Sequence, residues 1–266
     1  MGLKNFDTFY INGCSHTAGG GLSEFMIKDE YKRLHGVEWK SERDVTFSKY
    51  ISNYFNVKRV DDSTQGSGSP RLVRKTFEYI NKVGVENIKD TLFILQINNS
   101  INRVEIFCKK INDYVVVNVV YNDDGTFRYF DVVENWSQTE RKYELSYFEN
   151  EIKDDISHIL QNYHDPMVYQ LKIQCEMIGL FSFFEKNDIE YIVLMDDRHY
   201  LGEFKNLYKD RVVEIDGAFS AHEYTTQKNM RILDELPGIT QDCHPGYFGH
   251  KKYSEVLIKY LEEKYS

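Results

Sequence analysis

A chain of 266 residues with 41% apolar and 28% charged content is long enough for one large α/β domain and can bury a proper core. Its net charge of −9 argues against a nucleic-acid or anionic-membrane footprint, and no run of 18 apolar residues offers a transmembrane helix. The four cysteines include no CxxC pair and outline no disulfide framework.

In chain order, residues 8–12 form a short apolar run of the kind that makes a buried parallel strand. An amphipathic helix over 45–55 follows, with Phe47, Ile51 and Tyr54 on one side, and then a weaker strand at 57–60. Residues 70–83 begin with a proline suited to the first helical turn and repeat Leu72, Thr76, Ile80 and Val83 at helical spacing. The third strand is 91–97. Beyond it, strand-like runs at 114–121 and 126–133 are joined by Asn122-Asp123-Asp124-Gly125, a hairpin turn sequence, and predict an insertion at about 104–136. Helices over 142–162 and 166–187 come next, with Asp165 placed to cap the second. The apolar content of that second helix (Val168, Leu171, Met177, Ile178, Phe181, Phe184) predicts burial against the sheet. Strands at 191–196 and 212–215 and a last helix over 249–264 complete the pattern. The alternation predicts one domain over 1–266: a three-layer α/β/α sandwich with a central parallel sheet of about five strands and an inserted β-hairpin.

The chemistry concentrates at the two ends. Gly13-Cys14-Ser15-His16-Thr17 follows the first strand, so Ser15 falls at the carboxyl rim of the sheet, where open α/β folds bind ligands. Gly19-Gly20-Gly21 behind it can turn tightly and offer free N–H groups, without the Gly-Lys-Ser/Thr of a phosphate loop. Asp242-Cys243-His244-Pro245 precedes the last helix. In an extended segment its Asp and His lie on one side, about 7 Å apart at Cα, close enough for a hydrogen bond that fixes the imidazole tautomer. Ser, His and Asp are the attacker, general base and orienter of a hydroxyl-nucleophile mechanism. Asn98, ending the third strand, and a glycine of Gln65-Gly66-Ser67-Gly68-Ser69-Pro70 stand at the same rim as candidate oxyanion donors.

These residues resemble the four blocks of the SGNH hydrolase superfamily, the GDSL-type esterases, and the chain reads as a divergent member. Gly13-Cys14-Ser15-His16-Thr17 is similar to the nucleophile block, with Cys14 in place of its Asp. Gly68, or else Gly66, stands for the second block. Gln96-Ile97-Asn98-Asn99 keeps the asparagine of the third, and Asp242-Cys243-His244-Pro245 is one residue short of the usual fourth-block spacing. The resemblance implies a flavodoxin-like sandwich with Ser15 as nucleophile, His244 as base and Asp242 as its orienter. It also implies an oxyanion held by the N–H groups of Ser15 and Gly68 and by the Asn98 amide. It implies a serine esterase that removes acetyl or other short acyl groups from a small-molecule or glycan ester, with no cofactor, metal, nucleic acid or membrane partner. The hairpin would overhang the site as a lid or selectivity element.

Rival readings remain open at this level. The scaffold is either active or a degenerate carbohydrate-binding or viral structural module, and transfer of an acyl group to a sugar would use the same residues. Cys14, His16, Cys243 and His244 are all zinc-ligand types, and Cys14 is a second possible nucleophile. Residues 1–7 lack a signal-peptide layout, which makes the expected setting cytoplasmic or virion-associated. Sequence alone is silent on the oligomeric state.

Overall fold

The computed structural model describes residues 6–98, 102–110, 112–122, 127–132, 152–195 and 207–265. Four strands, β1 (Thr8–Asn12), β2 (Lys58–Asp61), β3 (Thr91–Ile97) and β7 (Tyr191–Met195), make a wholly parallel sheet in the order β2-β1-β3-β7. Every residue of β1, β3 and β7 is buried, because helices cover the sheet on both faces and alternation has no polar side to serve. The edge strand β2 is the polar exception (Lys58, Arg59, Asp61), which blunts an open edge against unwanted pairing.

One face, carrying Tyr10, Phe93, Leu95, Tyr191 and Val193, packs against α4 (Ser69–Val83) and α6 (Pro166–Lys186). The other, carrying Phe9, Ile11, Leu92, Ile94, Ile192 and Leu194, packs against α3 (Phe47–Phe55), α7 (Ala221–Gln227) and α9 (Tyr247–Tyr265). The helix ends follow their sequence signals. Pro70 occupies the first turn of α4, and Asn56 takes the left-handed conformation (φ 54°) that closes α3. Asp165 accepts hydrogen bonds from the amides of Met167 (2.8 Å) and Val168 (2.9 Å), capping α6. Not all of α6 is buried, however. Met177, Phe181 and Phe184 reach the core, whereas Val168 (65% exposed), Leu171 and Ile178 face outward on the opposite stripe. Its apolar content is nearly uniform around the helix, so composition alone could not say which stripe meets the sheet.

Segment 212–215, expected as a fifth strand, makes a single parallel bridge, Val212 to Val193. The reason is local: Asp216 (φ 52°) and Gly217 (φ 78°) form a tight turn closed by reciprocal hydrogen bonds between Ile215 and Ala218, which folds the chain back at once. Between β3 and β7 stands a second sheet, antiparallel, of β4 (Arg103–Cys108), β5 (Asp113–Tyr121) and β6 (Phe127–Val132). The last two pair as sequence alternation predicts (Val117 opposite Val132), but β4 is an additional strand, paired with β5 from Arg103 opposite Asn118 to Cys108 opposite Asp113. The turn residues 123–126, the expected helical stretch 142–151 and Asp196 lie outside the described residues; α5 (Lys153–Tyr163) covers the remainder of that helix.

A third small core joins α2 (Phe25–His35) to α8 (Ile232–Glu235) through Leu22, Ile27, Tyr31, Ile232 and Leu236. At its centre the Glu235 carboxylate accepts hydrogen bonds from Tyr31 Oη (2.6 Å) and from the amides of Phe248 (3.1 Å) and Gly249 (2.8 Å). Glu235 thereby satisfies orphan donors in the first turn of α9 with a side chain from another element. Among the described residues no helix is long and apolar enough to cross a membrane.

Candidate active site

The chain leaves β1 through Gly13 and enters α1 (Ser15–Ala18), a single helical turn with Cys14 at its N-cap. Gly13 is required by close packing: a Cβ there would lie 2.5 Å from Thr17 Oγ1 and 2.8 Å from the Cβ of Gln96 in β3. Its carbonyl accepts hydrogen bonds from Ser67 Oγ (2.8 Å) and the Thr64 amide (3.1 Å), which ties the loop after β2 to the turn that carries Ser15.

The glycines behind Ser15 have a different task from the one their sequence suggests. The amides of Gly19 and Gly20 both close on the Ser15 carbonyl, the latter at 2.7 Å, so neither is free for an anion. What the glycines provide is room. A Cβ on Gly20 would stand 2.8 Å from His244 Nε2 and equally 2.8 Å from Ser15 Cβ. Ser15 Cβ and His244 Nε2 therefore lie within twice that distance of each other, both beside the bare backbone of Gly20. A Cβ on Gly21 (φ 79°) would meet the Asp242 carboxylate.

The base loop is equally well held. His244 Nδ1 and the His244 amide both bond Asp242 Oδ1, at 2.8 and 2.9 Å. The loop runs beside the start of α8, with the Ile232 amide donating to the His244 carbonyl (2.9 Å) and the Leu233 amide to that of Asp242 (3.2 Å). The Asp242–His244 contact expected from the i, i+2 spacing is thus made despite the shortened block. Burial by itself would raise the Asp242 carboxyl, but the bonds from the His244 ring and amide, with the charges of His244 and His16, hold it below the usual range. With Nδ1 committed to the carboxylate, Nε2 is the nitrogen left to serve as a base, and it lies beside Gly20 together with Ser15 Cβ.

Gly68 is the N-cap of α4, and Asn98 directly follows β3. The Ser69 hydroxyl donates to the Asn98 carbonyl (2.5 Å), joining these two loops, and Ser67 joins them to Gly13. Hydrogen bonds therefore link the loops of Ser15, Gly68 and Asn98 beyond the carboxyl ends of β1, β2 and β3, while Asp242 and His244, held by α8, come against Gly20 and Gly21. Asn99, the last residue of the third block, lies outside the described residues.

Sequence alone gave His16 a role only as a zinc-ligand type and gave His222 and His250 none. The His16 ring stacks on His222 (centroids 4.1 Å apart, planes 7° apart) and meets the His244 ring edge at 5.3 Å. His250 is fully buried, accepts a 3.4 Å hydrogen bond from the Phe47 amide at Nδ1, and is pushed down to about 3 by burial and by the neighbouring His16 and His244. His16 stands within the first motif and His250 follows His244 of the second by six residues; nothing local marks His222. A cleft of about 630 Å³ opens beside the pair, lined by His16, Glu24, Met26, Ile239, Thr240 and His244 among others.

Cys14 is only 2% exposed, whereas Cys243 is exposed. Among the described residues no three His, Cys, Asp or Glu side chains converge as a metal ion would need. Compared with known proteins, the chain matches no family model and no curated protein, so the functional reading rests on residues and geometry.

Proposed function

We propose that the protein is a serine esterase of SGNH type that removes acetyl or other short acyl groups from a carbohydrate or related ester. One observation supports the reading: His244 holds Asp242 through Nδ1, and its Nε2 and Ser15 Cβ both crowd the same side-chain-free Gly20. Ser15 Oγ gives its proton to His244 Nε2 as it attacks the acyl carbonyl. Asp242 fixes the tautomer and stabilises the imidazolium that forms. The Ser15 and Gly68 N–H groups and the Asn98 amide are the proposed oxyanion donors, each worth roughly 10²–10³ in rate. Collapse of the tetrahedral intermediate expels the alcohol, which takes the proton from His244, and water then releases the acyl group by the same route. The parallel sheet with helices on both faces is compatible with the α/β/α sandwich of that family, with 212–215 as a rudimentary fifth strand and the β4–β6 sheet as its insertion.

Labelling with a fluorophosphonate probe, together with hydrolysis of 4-nitrophenyl acetate, tests the assignment. Wild type is expected to label and turn over, and Ser15→Ala and His244→Ala to do neither. Labelling or turnover that survives Ser15→Ala would overturn it.

A further inference from the structure

Arg103, the first residue of β4, stands against the oxyanion loop: a Cβ on Gly68 would lie 2.7 Å from Arg103 Cβ and 2.9 Å from its carbonyl oxygen. Its backbone is anchored by Tyr169 of α6, whose hydroxyl donates to the Arg103 carbonyl (3.3 Å) and accepts from the Glu105 amide (3.3 Å). The side chain is half-buried, yet among the described residues no carboxylate or carbonyl accepts from its guanidinium. The nearest acid along the strand, Glu105, is taken by both prongs of Arg74 (2.7 and 3.0 Å), and the residue opposite on β5, Asn118, is neutral. Every other described arginine is engaged, for example Arg43 with Asp61 and Ser63, Arg211 with Glu185 and Glu190, and Arg231 with Asp234. Burial lowers the Arg103 pKa from its ordinary value, and a charge interaction with Cys14, the residue before Ser15, opposes this.

A partly dehydrated guanidinium with no partner is costly unless a ligand supplies one. We infer that Arg103 is the specificity residue of the site, pairing with a carboxylate on the alcohol portion of the ester that Ser15 attacks. This rests on the esterase reading for the chemistry but not for the binding. One planar fork matches a carboxylate in bidentate fashion. The cleft beside His244 is lined by Glu24 and Asp242, whose charge disfavours an anion there, and Arg103 is not among its lining residues.

Two measurements separate the claims. The first is the ratio of kcat/KM for O-acetylglucuronate over O-acetylglucuronamide, a pair differing only in the charge. Wild type is expected to favour the acid, Arg103→Gln to lose about 10–100-fold of that ratio, as for one charge-assisted hydrogen-bonded pair, and Arg103→Lys to lose less. The second is calorimetric titration of glucuronate itself, which needs no turnover: binding to wild type is expected, and loss of it in Arg103→Gln. Equal ratios in wild type and Arg103→Gln, or glucuronate binding that is absent or unchanged by the substitution, would overturn the inference. Arg103-dependent binding with no hydrolysis of either ester would sustain the anion site and sink the esterase.

Discussion

Gly20 offers the most direct test of the geometry, because its substitution changes space without touching a reactive group. Its φ is not in the left-handed region, so alanine can adopt the backbone without strain, and by itself the replacement would stabilise the chain by about 0.4–1 kcal/mol. The added methyl, however, would stand 2.8 Å from both Ser15 Cβ and His244 Nε2. Ordinary carbon contacts need about 3.5 Å or more, so serine and imidazole must part by roughly 0.7 Å against each neighbour. Displacement on that scale between attacker and base costs about 10² in rate, or roughly 2.7 kcal/mol of transition-state stabilisation. Overpacking costs roughly 1–3 kcal/mol of stability, offset in part by the entropic gain. Gly20→Ala should therefore remain folded in urea titration, keep near-wild-type KM for 4-nitrophenyl acetate and lose kcat by about two orders of magnitude. Unchanged kcat in a folded Gly20→Ala protein would refute the pairing of Ser15 and His244 beside that backbone.

Asp242→Asn should lower kcat by about 10³–10⁴-fold while leaving the fold intact, since the amide no longer enforces the Nδ1–H tautomer; a loss below tenfold would remove Asp242 from the mechanism. His250 is depressed to about 3 from an ordinary 6.5, so between those values the unfolded chain binds the extra proton and stability falls as pH falls. The slope from this one group is about 1.4 kcal/mol per pH unit, and His250→Gln should flatten it in denaturant titrations at pH 4.5 and 7; parallel slopes in the two proteins would exclude His250 as the source. Asp165→Ala removes the acceptor of two amides and should cost about 0.5–2 kcal/mol, read as a shift of the urea midpoint with activity unchanged.

Elements defined by local chemistry were legible in the chain: the buried runs of β1, β3 and β7, the Asp165-Pro166 start of α6, and the β5–β6 pairing. The Ser15 turn and the Asp242–His244 pair were legible too, because each lies within a few residues of a strand end or helix start. What escaped depended on distant partners. β4 is short and mixed in character, and only pairing with β5 makes it a strand. The outward face of α6 was invisible because apolar residues surround the helix. Gly19 to Gly21 looked like anion donors, whereas Gly20 and Gly21 make room for His244 and Asp242, residues from the far end of the chain. Arg103 carried no motif at all; its interest comes from the partner that Arg74 takes away.

The carboxylate of Glu235 joins α2, from the first part of the chain, to the opening turn of α9 near its end. Ser15 and His244 arrive from those same two regions. During synthesis the nucleophile turn emerges long before its base exists, and the bonds from Phe248 and Gly249 to Glu235 close the loop that carries His244. Catalytic competence is thus a property of the closed chain, and on the esterase reading the first ester turned over reports that folding is complete.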